Sequence, residues 1–232
     1  MIRERFRIGS PNKNRGNRGM IKLLIVDDHH LVRTGLRGII EDAGGFEIVG
    51  EAGTGERAIQ LNREKEPDII LMDIGLPGLS GFETSERIMN ARPNVRIIAL
   101  TAHTKPPFPA RLLDMGAAGY LTKACDADEL VSAIRRVYDG ERYVGSEIAQ
   151  QLAMSLLPGT PQSPFQELTP RELEVAMMMA KGMKSSAIAE RMNVSPKTIS
   201  THKYRIFEKV GVDSEVGLLR EAIRYDVLED QD

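Results

Sequence analysis

The sequence has no tryptophan and a single cysteine, Cys125. A lone cysteine cannot close an internal disulfide, which excludes a disulfide-framed secreted domain and suits a reducing compartment. No apolar run approaches the ~20 residues that a membrane-spanning helix needs. The N-terminus also lacks the apolar core of a signal peptide. The histidines His29, His30, His103 and His202 show no metal-ligand spacing with Cys125. These absences lead to the expectation of a soluble cytoplasmic protein with no membrane partner.

Net charge is −2 over 232 residues, but it is unevenly distributed. Residues 1–19 hold six Arg/Lys against one Glu, a net of +5. Residues 20–154 hold 15 basic and 20 acidic side chains, a net of −5, whereas residues 181–209 hold seven basic and two acidic, a net of +5. An acidic first domain suggests metal or phosphoryl chemistry, and a basic segment in the second suggests a polyanion partner. An acidic surface tethered close to a basic one can also mask it.

The pattern divides the chain. Residues 1–19 (MIRERFRIGSPNKNRGNRG) lack sustained apolar periodicity and read as a disordered basic extension. Met20 offers an alternative start, and a nucleic-acid-binding arm is the other reading of this piece. Over 20–140, apolar runs at 21–26, 46–51, 68–72, 95–100 and 118–121 alternate with amphipathic stretches. Five strands alternating with five helices predict an α/β doubly wound five-stranded parallel sheet. The runs are apolar on consecutive residues, as strands covered on both faces should be. A helical extension is expected over 141–156 and a Pro-containing uncharged linker over 157–166. The remainder, 167–232, reads as a small all-α domain with helices near 170–181, 185–192, 196–210 and 214–228. Thr169-Pro170 with Glu172, and Ser195-Pro196, carry helix-start signals, while Gly182 and Gly211 mark helix ends.

Polar residues interrupt the apolar runs at telling places. Asp27 and Asp28 follow the first run, Asp73 the third, Thr101 the fourth and Lys123 the fifth. In an open parallel sheet all these positions fall at the carboxyl edge, where such folds bind ligands. Close carboxylates repel, and a hard divalent cation such as Mg²⁺ sustains their ionisation. A lysine can neutralise a phosphoryl group, a hydroxyl can hydrogen-bond to it, and one aspartate is left as the nucleophile. Taken singly, each strand-end Asp is as well explained by a helix N-cap. The combination of five is not.

The motifs LLIVDDHHLVRTGL, IILMDIGLPGLSGFE, IIALTAH and GAAGYLTKA resemble receiver domains of two-component response regulators over 20–140. The resemblance implies that Asp73 accepts the phosphoryl group and that Asp28 and Asp73 bind Mg²⁺ with help from Asp27. It also implies that the Gly75 backbone carbonyl completes the protein ligands, that Thr101 and Tyr120 form a switch pair, and that Lys123 binds phosphate. Pro77 and Gly81 match the loop after the acceptor. Ala124 follows Lys123 where the family often has proline. The run Lys105–Pro109 is Pro-rich where the fourth helix should begin, which predicts a short helix in a region that commonly forms the output surface.

Segment 184–205 (KSSAIAERMNVSPKTISTHKYR) reads as helix, short turn and second helix. Ile188, Met192, Val194 and Ile199 can pack the two together, leaving Lys197, Thr198, Ser200, Thr201, Lys203, Tyr204 and Arg205 outward. A helix with that surface fits the major groove, though an ordinary solvated helix face would look alike. LTPRELEVAMMMAKGMKSSAIAERMNVSPKTISTHKYRIFEKVGV resembles the NarL/FixJ (LuxR-type) output domain, a helix-turn-helix. On that likeness Lys184 opens the scaffold helix and 196–210 is the recognition helix. Ser200, Thr201 and Tyr204 become base-reading candidates, with Lys197, Thr198, Lys203 and Arg205 on phosphates. Met177–Met179 reads as pliable core. The stripe Val216, Leu219, Ala222 and Ile223 is a dimerisation surface by family likeness, or a packing face.

Over the whole chain, IRRVYDGERYVGSEIAQQLA and SPKTISTHKYRIFEKV are similar to the GacA/UvrY group of regulators. That likeness implies a BarA/GacS-like sensor histidine kinase, promoter DNA and a homodimer on DNA, and no turnover enzyme. Two other classes compete. A haloacid-dehalogenase-type phosphatase wants a second Asp two residues after its nucleophile, where this chain has Gly75. A receiver that dimerises without phosphorylation is opposed by the complete five-residue site.

Overall fold

The computed structural model describes residues 19–101, 108–155, 163–225 and 227–228. Strands β1 (Ile21–Val26), β2 (Phe46–Ala52), β3 (Ile69–Asp73), β4 (Arg96–Thr101), β5 (Gly119–Thr122) and β6 (Tyr143–Val144) form one sheet in the order β2-β1-β3-β4-β5-β6. Every pairing is parallel. The expectation of five strands is therefore corrected to six. The addition is only two residues long, held where Tyr143 N donates to Ala118 O (3.0 Å) and Gly145 N to Tyr120 O (2.9 Å). Two residues are too few to leave a periodic signal in the sequence.

Successive residues of a strand point to opposite faces, so each apolar run feeds two cores. Leu23, Ile25, Ile69 and Leu71 pack with Ile40 of α1 (His30–Ala43) and Ile134 of α5 (Ala127–Tyr138). Leu24, Val26, Ile70 and Met72 pack on the other face. There they meet Ala58 of α2 (Gly55–Lys65), Phe82 of α3 (Gly81–Ala91) and Leu112 of α4 (Phe108–Asp114). All of β3 is buried, as the central strand of a two-faced sheet must be. Helix α4 is described over Phe108–Asp114; Lys105–Pro107, on which the expected shortening rests, lie outside the described residues. Helix α6 (Ser146–Ser155) folds back on α4 and β5, with Ile148 fully buried.

The C-terminal helices are α7 (Pro170–Ala180), α8 (Ser185–Arg191), α9 (Pro196–Val210) and α10 (Glu215–Arg224). Thr169 and Glu172 form the expected capping box on α7, and the Ser195 hydroxyl accepts from Thr198 N at the start of α9. Gly211 ends α9 at φ 76°, a left-handed position that suits glycine. A 3₁₀ turn, Pro164–Glu167, precedes α7 and plants Phe165 fully buried beside α9. Lys209 of α9 donates to Glu172 Oε2 (2.6 Å), tying α9 to the α7 cap.

The apolar cluster on the α2–α3–α4 side continues into the helical domain without a break. The junction is polar as well. Arg171 Nη1 donates to Gly78 O (3.0 Å) and Arg171 Nη2 to Met192 O (3.0 Å), while Gly78 N donates to Arg191 O (3.0 Å). Arg111 of α4 also donates to the Gln166 carbonyl. The two domains thus meet chiefly through the β3–α3 loop and α3 against α7 and α8.

Candidate phosphoryl-transfer site and DNA-binding surface

The strand-end residues converge as the sequence requires. Lys123 Nζ lies 2.7 Å from Asp27 Oδ2 and 2.9 Å from Asp73 Oδ2, although the three residues span almost a hundred positions. Asp27 and Asp73 are buried, and so is Thr101 at the end of β4. Tyr120 is wholly buried on β5. Gly75 N donates to Asp73 Oδ1 (3.0 Å). This fixes the Asp73 carboxylate with one oxygen on the backbone and the other toward the ammonium.

The helix that follows approaches this strand end very closely. A Cβ placed on Gly81 would sit 2.1 Å from Asp73 O and 2.6 Å from Ile74 Cα. Only glycine lets α3 start there, which gives Gly81 a steric role in placing Asp73.

Burial, above all other influences, pushes the Asp73 carboxyl above its ordinary value; the hydrogen bond and charge of Lys123 work against that push. Burial disfavours the charged Lys123 ammonium too, yet its bonds to Asp27 and Asp73 outweigh burial and leave it raised. The Lys123 ammonium is therefore favoured in its charged form between the two carboxylates.

Asp27, Asp28, Asp73 and His29 each bring a ligand atom within 4.8 Å of the others. Asp28 Oδ1 is buried without a hydrogen bond, although His29 Nδ1 lies 2.9 Å away. An unsatisfied buried carboxylate oxygen beside two further carboxylates fits a hard divalent cation. His29 is the member that sequence reasoning missed. It occupies the N-cap position of α1, where its side chain makes no capping bond and turns to the carboxylates instead. A histidine where Ser, Thr, Asp or Asn would cap was the available signal.

In the second domain, Ile188, Met192 and Ile199 are buried between α8 and α9, with Val194 packed against them. Asn193 takes a positive φ of 51° in the turn. Lys184, Lys197, Ser200, Thr201, Tyr204 and Arg205 are exposed, Tyr204 at 71%. The Ser200 and Thr201 hydroxyls donate back to the Pro196 and Lys197 carbonyls, both at 3.1 Å. Two more of the expected contact residues have side-chain partners. Thr198 Oγ1 lies 2.8 Å from the Ser195 hydroxyl in the cap, and Lys203 Nζ donates to Glu215 Oε1 at 2.6 Å. On α10, Leu218 and Ala222 face the core, while Val216 and Ile223 are exposed at 62% and 64%.

This combination of sheet-edge carboxylates, lysine and helix-turn-helix defines a response regulator with a DNA-binding output domain. Residues 23–135 match the response regulator receiver domain family, and residues 166–222 match the family of bacterial regulatory proteins, luxR family. The chain belongs to the LuxR-type response regulators. It is 46% identical to response regulator UvrY of Escherichia coli (strain K12) over 207 residues, 89% of this chain and 95% of that one. It is 43% identical to response regulator GacA of Pseudomonas aeruginosa over 211 residues, covering 90% and 99%. Among solved structures it is similar to RcsB of Salmonella enterica serovar Typhimurium bound to promoter P1flhDC in the presence of phosphomimetic BeF3-. There the TM-score is 0.66 at 26% identity, over 87% of this chain and 98% of that one. The chain is thus a DNA-binding transcription regulator of the two-component class.

Proposed function

We propose that Asp73 is the phosphoryl acceptor, with Mg²⁺ held by Asp27, Asp28, Asp73 and the Gly75 carbonyl, and with Thr101, Tyr120 and Lys123 as the responding groups. The observation that carries this reading is the Lys123 bridge between Asp27 and Asp73, at 2.7 and 2.9 Å. A cation there would neutralise phosphoryl oxygens and lower the repulsion that an incoming phosphate meets. The chain's own residues do the rest. An Asp73 Oδ oxygen attacks phosphorus, a P–O bond forms, and the P–N bond of a kinase phosphohistidine breaks with a proton returned to the imidazole. The Gly75 N–H orients the acceptor carboxylate, and Lys123 moves from Asp73 to the transferred group.

The kinase is a sensor histidine kinase of the BarA/GacS-like kind, and the reaction adds one group per chain rather than turning over a substrate. The second partner is promoter DNA. Lys197, Arg205 and Lys184 meet phosphates, and Ser200, Thr201 and Tyr204 face base edges. Thr198 and Lys203 join them by exchanging their present partners for phosphate. RcsB, similar over most of both chains, is solved on promoter DNA, which supports this reading. Two copies meet on DNA, and the protein works in the cytoplasm, where that DNA lies.

Acetyl phosphate with Mg²⁺ tests the first half directly. Intact-mass measurement should show one added phosphoryl group on the wild type and none on Asp73→Asn. Labelling of that variant at another residue overturns the assignment.

A further inference from the structure

A cavity of about 400 Å³ opens between the two domains, beside the loop that follows Asp73. Ile74, Leu76 and Phe82 line its receiver side, and Met177, Met178 and Met192 its output side. Its volume falls in the ~300–1,000 Å³ range of small-molecule sites, and mostly apolar walls with a few polar groups are the usual composition of such sites. Methionine side chains are soft and adaptable, so this wall can fit an irregular apolar body.

Charge at the cavity is one-sided. Arg171 and Glu174 contribute to the wall but pair with each other at 3.2 Å. Lys181 and Arg191 also line it and are exposed, and among the described residues neither side chain has a carboxylate partner. Among the described residues the mouth therefore carries two cations with no carboxylate paired to them, beside the apolar side chains of the wall.

We propose that this cleft binds a small amphiphilic anion, an apolar body of about ten carbons ending in one carboxylate. The apolar body lies among the methionines, and the carboxylate meets Lys181 and Arg191. The occupant touches both domains at once, so its binding favours the domain-closed arrangement by the ratio of its affinities for the closed and open states. The site does not depend on Asp73 chemistry, so its failure leaves the phosphorylation reading untouched.

Decanoate is a suitable probe, with decanol as the uncharged comparison, both titrated calorimetrically into the full chain. The wild type should bind one decanoate saturably and at least tenfold more tightly than decanol. Met178→Trp, which fills the cavity, should abolish binding of both. The double variant Lys181→Glu/Arg191→Glu should lose at least tenfold for decanoate and little for decanol. Each variant should still take up phosphoryl groups from acetyl phosphate like the wild type, which shows that it is folded. Absence of saturable decanoate binding to the wild type, or binding unchanged by Met178→Trp, overturns the site. Binding lost with Met178→Trp but unchanged in the double variant overturns the anionic class of ligand.

Discussion

Arg171, in the first turn of the output domain's leading helix, donates to the carbonyl of Gly78, five residues beyond Asp73. The same guanidinium thus links the β3–α3 loop to α7 and, through its second bond, to Met192 at the end of the α8 segment. An acidic receiver tethered to a basic segment can mask it, and the resemblance puts the common output surface at the fourth helix. In the structure the receiver grips α7 and α8 with the β3–α3 loop and α3, and leaves Ser200, Thr201 and Tyr204 exposed. A contact of this kind holds the orientation of the output domain while leaving Ser200, Thr201 and Tyr204 uncovered.

Arg171→Ala should loosen that contact. It removes two charge-assisted bonds to carbonyls, each worth about 1.5–3 kcal/mol when well buried and less at this half-buried position. The unphosphorylated variant should bind promoter DNA roughly tenfold more tightly than unphosphorylated wild type, as about 1.4 kcal/mol shifts an equilibrium tenfold. Fluorescence anisotropy on labelled DNA reads this. Equal affinities for the two proteins would remove the contact from the control mechanism.

The junction should also be sensitive to pH. Burial pushes the Glu174 carboxyl up from 4.5 to about 7, against the pull of the Ser80 hydroxyl and the Arg171 guanidinium, with Glu83 adding to the rise. A raised carboxyl means that the closed junction prefers the protonated form. Its contribution is full below about 4.5 and is lost as pH rises through about 7. Inter-domain distance, read by a pair of fluorophores, should therefore lengthen between pH 6 and pH 8. Glu174→Gln should hold the short distance across that window. A wild type with no change across it would show that Glu174 does not control the junction.

Lys123→Ala should separate phosphorylation from response. The ammonium joins Asp27 and Asp73 before phosphorylation, and its removal leaves both carboxylates without that counter-charge. It also removes the link from β5 to the phosphoryl group. At equal phosphorylation, measured by intact mass, the variant should activate transcription at least tenfold less than wild type. Activation equal to wild type would rule out a reporting role for Lys123.

The central site was legible because its chemistry sits where apolar runs stop. A buried parallel strand reads as an unbroken apolar run, so Asp27, Asp73, Thr101 and Lys123 stand out at its end. The helix starts were legible for a similar reason, since Thr169, Ser195 and Glu172 bear capping chemistry in the sequence itself. Three features were not. β6 is two residues long and depends on the edge that β5 offers. His29 leaves only the weak signal of a histidine at an N-cap, because spacing does not encode the direction its side chain takes. The junction rests on Gly78 and Met192 carbonyls, which any residue carries, so no pattern of side chains announces it.

DNA binding supplies the last test, because exposure divides the recognition helix into two kinds of residue. Lys197 and Arg205 are exposed cations, and each phosphate contact they make releases a counter-ion. Replacing either with alanine should lower the slope of log K against log salt by roughly one unit and weaken all sequences alike. Lys203 should contribute less, because its ammonium must first leave Glu215. Glu215→Gln should therefore raise affinity and steepen the salt slope. Tyr204, 71% exposed on the same helix, offers a ring and a hydroxyl rather than charge. Tyr204→Ala should leave the salt slope unchanged and alter base preference at one position, by about 1–3 kcal/mol. Binding titrations over a set of single-base operator variants, repeated at several salt concentrations, distinguish the two kinds of effect. A Tyr204→Ala variant that weakens every operator equally would move Tyr204 from base reading to backbone contact.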